Sequence, residues 1–316
     1  MKTQMKTIVT LTMNPSLDIS TSVDTVVPEH KLRCDTPSYE PGGGGINVAR
    51  AIHKLGGAAT ACYLAGGPTG QMLTQLLTEE GVVQRPVQSR QYTRESFAVY
   101  EKTSGQQYRF SMPGAQIDDV ECAQVIDLLN SFSPAPDYLV ISGSFPPGVT
   151  DAFFADLAAL ARRVGARLVV DTSGPAMQAA LTQGVFLIKP NFRELGLLVG
   201  RQIKDDLELR REAEAIVDRG QSEVVLVSLG AAGAALVTKA GYTQFRSPTV
   251  PIQSKVGAGD SMVGGFVLAL ARGYTLTEAA RFGVATGAAA VMTPGSELCR
   301  REDAERLYAQ MQKEAQ

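Results

Sequence analysis

The stretch KVGAGDSMVGGFVLAL, residues 255–270, puts Asp260 directly behind Gly257-Ala258-Gly259 and at the head of an apolar helical run. Small residues at a helix start leave the first N–H groups and the positive end of the helix dipole open to an anion. An aspartate at such a place is ordinary as a helix cap, with no chemistry attached. It is equally the residue that phosphoryl transfer requires: a base that takes the proton of an attacking hydroxyl while backbone N–H groups hold the charge growing on the phosphoryl group. The stretch alone leaves both readings open.

A second candidate is YEPGGGGINVARAI, residues 39–52, where Gly42, Gly43, Gly44 and Gly45 precede Asn47. Glycine gives up more backbone freedom on folding than any other residue, so four in a row imply a need for bare backbone, either for a left-handed turn or for close approach of a ligand. Val48, Ile52 and Leu55 then recur at helical spacing up to Gly56-Gly57, and the run reads as a glycine loop opening a helix. Known nucleotide motifs narrow the chemistry by failing. No GxxxxGK[ST] occurs, which excludes a P-loop kinase, and GxGxxG is broken by Asn47 in one run and by Met262 in the other. What remains are separate glycine turns after strands, at 228–233 and 257–259, which an open α/β sheet gathers into one crevice at the carboxyl ends of its strands.

The elements that must position these residues follow one rhythm. ATACYLA, DYLVISG, ARLVVD, VFLIKP and EVVLVSLG are short β-branched runs, each apolar throughout, and helical segments separate most of them. This alternation predicts a three-layer α/β/α core around a mostly parallel sheet covered on both faces. Residues 16–39 and 91–112 break the rhythm with period-two alternation and no helix signal, predicting a small antiparallel sheet beside the core whose second part turns at Ser104-Gly105. A half-apolar sheet of that kind needs cover, as a lid over a ligand, a dimer interface, or both. It carries Arg94 and Arg109, two cations able to meet an anion. The alanine-rich segments near the C-terminus read as closely packed helices, which does not account for Asp260.

The whole chain excludes several classes. Its 316 residues are 44% hydrophobic, enough for a full core, and a formal net charge of −2 leaves no basic footprint for nucleic acid. No apolar run is long enough to span a bilayer, and the N-terminal MKTQMKTIVTLTMNP reads as a buried strand rather than a signal peptide. Cys34, Cys62, Cys122 and Cys299 lie far apart with no CxxC pair, as expected of free thiols in a reducing cytoplasm, and the only histidines, His30 and His53, have no metal-ligand spacing. With so few histidines, a catalytic base is expected to be a carboxylate.

At this point the chain resembles a known family. GGGGINVARAIHKLGG, KPNFREL, SLGAAGA and KVGAGDSMVGGF occur in the order and spacing of the ribokinase-like PfkB carbohydrate kinases, over essentially the whole of residues 1–316. TLTMNPSLDIS, PEHKLRCDTPSYEPGGGGINVARAI, QYRFSMPGA and ISGSFPPGV are most similar to the subgroup of minor bacterial 6-phosphofructokinases. The resemblance implies a single kinase domain in the cytoplasm, with a small β lid that clasps a homodimer. It implies glycolytic, ATP-dependent phosphorylation of the 1-hydroxyl of fructose 6-phosphate, with Asp260 as base and Gly257, Ala258 and Gly259 as the anion hole.

For the sugar, the resemblance implies Asp18, Gly43, Gly44 and Asn47, and for its phosphate Arg94 and Ser144 with Lys31 and Arg109 near by, the last pair offered by its own lid or by a partner's. For ATP it implies Lys189, Asn191, Ser228, Gly230 and Gly233, with Glu194 meeting Mg²⁺ through water. Asn191 has a plain alternative role as a helix N-cap, and the two are compatible. Backbone carbonyls at Ser254 and Val256, and near Ala290, Thr293 and Gly295, match a K⁺ site, although the loop MTPGSE has Thr293 and Glu297 where the nearest members carry Asn and Arg.

Tagatose-6-phosphate and fructose-1-phosphate kinases of the family usually carry GGKG, with a lysine for the substrate, where this chain has Gly44. The all-glycine run therefore favours fructose 6-phosphate, with tagatose 6-phosphate as nearest competitor. Two alternatives of other classes are a sugar-phosphate sensor that has lost catalysis, against which Asp260 argues, and a nicotinamide-dependent oxidoreductase, against which the broken fingerprints argue.

Overall fold

The first strand, β1 (Ile8–Thr12), is buried along its whole length, as an apolar run in the middle of a covered sheet must be. The structure, a computed structural model, describes residues 6–314, so Met1 to Met5 of the expected N-terminal strand lie outside the described residues. Then come β2 (Ser16–Val23), β3 (Ser38–Gly42), α1 (Gly44–Lys54), β4 (Thr60–Ala65), α2 (Gly67–Glu79), β5 (Gln84–Gln88), β6 (Arg94–Glu101) and β7 (Gln107–Ser111). The middle of the chain is α3 (Asp119–Asn130), β8 (Tyr138–Ser142), α4 (Asp151–Val164), β9 (Arg167–Asp171), α5 (Pro175–Thr182), β10 (Val185–Ile188), α6 (Phe192–Leu198), α7 (Asp206–Asp218) and β11 (Ser222–Ser228). It closes with β12 (Ala234–Thr238), β13 (Gly241–Phe245), α8 (Ala258–Ala271), α9 (Leu276–Ala290) and α10 (Arg301–Lys313).

Nine strands form the central sheet in the order β13-β12-β11-β10-β9-β8-β1-β4-β5, parallel from β11 to β5 and antiparallel through β12 and β13. Alternate residues feed opposite cores: along β8, Tyr138 and Val140 join α1, α2, α8, α9 and α10 on one face, while Leu139 and Ile141 join α3 to α7 on the other. This is the three-layer arrangement expected. β5 is an edge strand, where Pro86 takes away no ladder bond that a neighbour needs. The connections run outward in both directions from β1 and β8, so the switch in strand order, where open α/β sheets open a crevice, falls between them.

Two expectations are corrected. The small sheet, β3-β2-β6-β7, is mixed: β2–β3 and β6–β7 are antiparallel hairpin partners, but β2 and β6 run parallel from Ser16 opposite Arg94 to Val23 opposite Glu101. β2 continues the chain beyond the carboxyl end of β1, and β6 does so beyond β5, so two strands leaving a parallel sheet on one side keep a common direction. Period two carries no information on direction. The β6–β7 hairpin turns through 102–106 with Gly105 at φ 70°, and 24–37 is without strand.

The second correction concerns the glycines, which do not form a loop. Gly42 ends β3, Gly43 is the N-cap of α1 at φ 115°, and Gly44 and Gly45 are already helical. A Cβ on Gly45 would lie 2.4 Å from Leu11 O, and one on Gly43 would lie 2.7 Å from Thr12 Cγ2. The bare backbone lets α1 start directly on β1. Thr12 then replaces the missing cap, its Oγ1 accepting from Ile46 N at 2.8 Å.

Candidate active site

Five elements deliver side chains to one point beyond the carboxyl ends of the central strands. β8 ends at Ser142, β9 ends at Asp171, Lys189 follows β10, and α1 and α8 bring Asn47 and Asp260 from their first turns. α8 begins after Gly257, at φ 72°, with no side-chain cap, so its N-terminal N–H groups are free of side-chain acceptors. The Asp260 carboxylate is not the cap. It accepts from Asn47 Nδ2 at 2.9 Å through Oδ2, and Ser142 Oγ approaches Oδ1 at 3.5 Å. That removes the helix-cap reading left open by the sequence.

Burial, reinforced by the charge of Asp171, pushes Asp260 from 3.8 up to about 6, against the Asn47 and Ser142 hydrogen bonds and the Lys189 charge. A carboxylate titrating there is still ionised at neutral pH and is a better proton acceptor than an ordinary aspartate. Lys189 is buried, and its Nζ pairs with Asp171 Oδ1 at 3.1 Å. Desolvation would lower it, but Asp171, Glu194 and Asp260 together raise it, so the ammonium stays charged. A Cβ on Gly259 would sit 3.5 Å from Lys189 Nζ, which places this cation at the open helix end.

Two cavities flank the 255–259 segment. One of about 450 Å³ is lined by Ser228, Gly230, Gly233, Lys255 and Gly259, and on its apolar side by Val284, Gly287 and Ala288 of α9. That volume falls in the range of small-molecule sites. Asn191 adjoins it through a bridge to Ser228 and is the N-cap of α6, in a capping box in which Glu194 N donates to Asn191 Oδ1 and Asn191 N to Glu194 Oε2, each at 2.8 Å. The other cavity, about 200 Å³, lies under the small sheet between Asp18, Ser96, Arg109, Ser111, Val256 and Ser296.

Asp18 accepts from Ser16 Oγ at 2.6 Å, and burial raises its pKa despite that bond and the charges of Arg94 and Arg109. Its carboxylate covers Gly42, where a Cβ would meet Oδ2 at 2.4 Å. Arg94 donates to Ser111 Oγ at 2.9 Å and to Asn14 O at 3.3 Å, and Asn14 Nδ2 donates to Ser144 Oγ at 3.0 Å, so Arg94 and Ser144 share one cluster. Arg94 Nε is buried and has no partner among the described residues. Lys31 is not brought in: it is exposed in 24–37 with no hydrogen bond or ion pair among the described residues.

Gly44 is occupied by the protein itself. A Cβ there would lie 2.4 Å from Ser142 Oγ and 2.5 Å from Gly143 N, so a lysine at this position would collide with β8. Ser254 Oγ accepts from Val256 N at 3.2 Å, and the backbone of Gln253 and Ser254 hangs on Val291 O, placing 253–256 beside the loop after α9. Ser142, Asp171, Asn14 and Arg50 carry no motif that singles them out in the sequence. Ser142 and Asp171 could have been found as polar residues closing apolar strands.

A family model for pfkB family carbohydrate kinases matches residues 11–303. An ATP-dependent 6-phosphofructokinase isozyme 2 of Mycobacterium tuberculosis is 45% identical over 301 residues, which are 95% of this chain and 88% of that protein. Among solved structures, phosphofructokinase-2 from Escherichia coli in complex with potassium superposes with a TM-score of 0.93 at 46% identity, covering 98% of this chain and 100% of the other. The same enzyme in complex with fructose-6-phosphate gives 0.91 at 45%, with equal coverage. The order of strands, the helix-opening Asp260 and these matches agree: the chain belongs to the pfkB family of carbohydrate kinases.

Proposed function

We propose that this chain is an ATP-dependent 6-phosphofructokinase, transferring the γ-phosphoryl group of ATP to the 1-hydroxyl of fructose 6-phosphate. The observation that carries the reading is Asp260, with its pKa raised to about 6 at the uncapped start of α8, between a nucleotide-sized cavity and a smaller one that has arginine at its rim. Asp260 takes the hydroxyl proton. The N–H groups after Gly257 and the Lys189 ammonium hold the charge on the phosphoryl group in flight. Asp18 and Asn47 orient the sugar, and Arg94 with Ser144 binds its phosphate, the unpartnered Nε being the donor in waiting. Ser228, Gly230 and Gly233 line the cavity taken by the nucleotide.

Glu194 suits Mg²⁺ held through water: Oε2 serves the capping box, and Oε1 accepts no hydrogen bond among the described residues. No cluster of three His, Cys, Asp or Glu residues forms a metal cage among the described residues. Bound there, Mg²⁺ neutralises and aligns the terminal phosphates. The Ser254 and Val256 carbonyls, which accept no hydrogen bond among the described residues, suit K⁺ beside the anion hole. The small sheet acts as lid and homodimer face, with Tyr39, Tyr100, Phe110 and Met112 exposed.

No described helix is long and apolar enough to cross a membrane. A coupled assay over fructose 6-phosphate, tagatose 6-phosphate and fructose 1-phosphate tests the assignment. The expected result is the highest kcat/KM for fructose 6-phosphate, and a clear preference for either other sugar overturns it.

A further inference from the structure

Arg50, one turn after Asn47 on α1, is 1% exposed and lines neither cavity, and the roles given above do not use it. Its Nε and one terminal nitrogen hold Glu80 in a bidentate pair at 2.7 and 2.6 Å. The other terminal nitrogen donates to Pro41 O at 3.0 Å, Ser296 O at 3.2 Å and Asn47 Oδ1 at 3.3 Å. Pro41 is the last residue but one of the lid strand β3, Ser296 stands in the loop after α9, and Asn47 is the donor to Asp260.

A carboxamide can point either way round, and its neighbours decide. With Oδ1 against a guanidinium, the Asn47 amide nitrogen is turned to the Asp260 carboxylate. The flipped amide would set NH₂ against a cation and an oxygen against an anion. Ser296 is fixed from the other side by Glu40, whose Oε2 accepts from Ser296 N at 3.2 Å and Oγ at 2.8 Å, so β3, α1 and the loop after α9 meet at one guanidinium. The charged groups facing this point are Glu80, with His53 and Lys54 beside it, and Glu40; those facing Asp260 are Asp171 and Lys189.

We infer that Arg50 is a positioning residue for phosphoryl transfer, which acts on the base through the orientation of Asn47 and ties that orientation to the lid strand and the 293–298 loop. The inference rests on Asp260 being the base of the proposed kinase. A lysine at 50 keeps the charge but cannot engage Glu80 and three carbonyl-type oxygens at once.

The test is a double-mutant cycle of Arg50→Lys and Asn47→Ala, with kcat for fructose 6-phosphate followed from pH 5 to 9. Each single variant is expected to lower kcat by about tenfold or more and to move the acid limb upward, since a hydrogen bond that favours ionised Asp260 is lost. In the Asn47→Ala background, Arg50→Lys is expected to change kcat by less than about twofold. Multiplying losses, or an unmoved acid limb with only a lower Tm, would show a structural arginine and overturn the inference. If Arg50→Lys does not fold, the pair Arg50→Gln with Glu80→Gln, which removes both charges together, carries the same cycle. Failure of the unmutated chain to phosphorylate any of the three sugar phosphates would overturn the kinase reading itself, and with it this one.

Discussion

Ser142 Oγ stands between two carboxylates, 3.3 Å from Asp171 Oδ2 and 3.5 Å from Asp260 Oδ1. One hydroxyl proton cannot serve both at once. Asp171 already has Lys189, so the proton has most effect on Asp260, where its hydrogen bond favours the ionised form. The kcat profile is therefore expected to fall on the acid side with a midpoint near 6, the value to which Asp260 is raised. Ser142→Ala is expected to move that midpoint upward. A midpoint near 4 in the unmutated enzyme would contradict the burial of the base.

The same raised pKa has a consequence for stability. Asp260 is held above its unfolded value of 3.8 in the fold, so the folded state binds the proton more tightly. Its contribution is fully present below 3.8 and is lost as pH rises through about 6. Asp260→Asn is therefore expected to unfold at higher urea than the unmutated chain at pH 8, by about 2–3 kcal/mol, with the difference vanishing near pH 4. The same substitution is expected to lower kcat by about 10²- to 10⁴-fold. Equal stabilities at pH 8 would show that Asp260 is not strained by its surroundings.

These relationships mark where sequence reasoning succeeds and where it stops. The layered sheet is legible because β8 is apolar up to its closing Ser142 and β10 throughout, and only a strand covered on both faces needs that. Asn191 is legible twice over, since the capping box with Glu194 follows from their spacing. The parallel pairing of β2 with β6 is not legible, because it depends on where β1 and β5 lie in the central sheet. Nor is the reason for Gly44. The sequence shows four glycines before a helix, and only the structure shows that Gly44 faces Ser142, nearly one hundred positions away, so that packing as well as any ligand demands it. Asp171 is not legible as a site residue either, because its partner Lys189 comes from a different strand end.

Arg94 offers a sharper separation of binding from chemistry. Burial lowers its pKa and Asp18 raises it, yet an arginine stays charged at any physiological pH, so its buried Nε is a cationic donor without an acceptor among the described residues. Arg94→Gln is expected to raise KM for fructose 6-phosphate by about tenfold or more, the worth of one charge-assisted hydrogen bond or two, while KM for ATP stays put. Initial-rate kinetics with each substrate varied in turn measure both. An equal rise in both constants would place Arg94 in general support of the fold.

The lid face yields the last prediction. Tyr39, at 40% exposed, and Phe110, at 53%, lie on one face of the small sheet, in register across it through Ile19 and Phe97 and turned away from Asp18 and Arg109. Lys31 lies on the exposed 24–37 segment and reaches none of the Arg94 cluster within its own chain. Both observations are accounted for if two lids clasp, burying the aromatics and offering Lys31 to the neighbour's sugar phosphate. Tyr39→Asp, at a residue that lines neither cavity, is expected to weaken association by about thirtyfold, as loss of a buried interface aromatic does. Light scattering across a dilution series reads the association, and kcat/KM for fructose 6-phosphate is expected to fall with the fraction of dimer. A variant that is monomeric yet fully active at the same concentration would confine the lid to its own chain and leave Lys31 without a role.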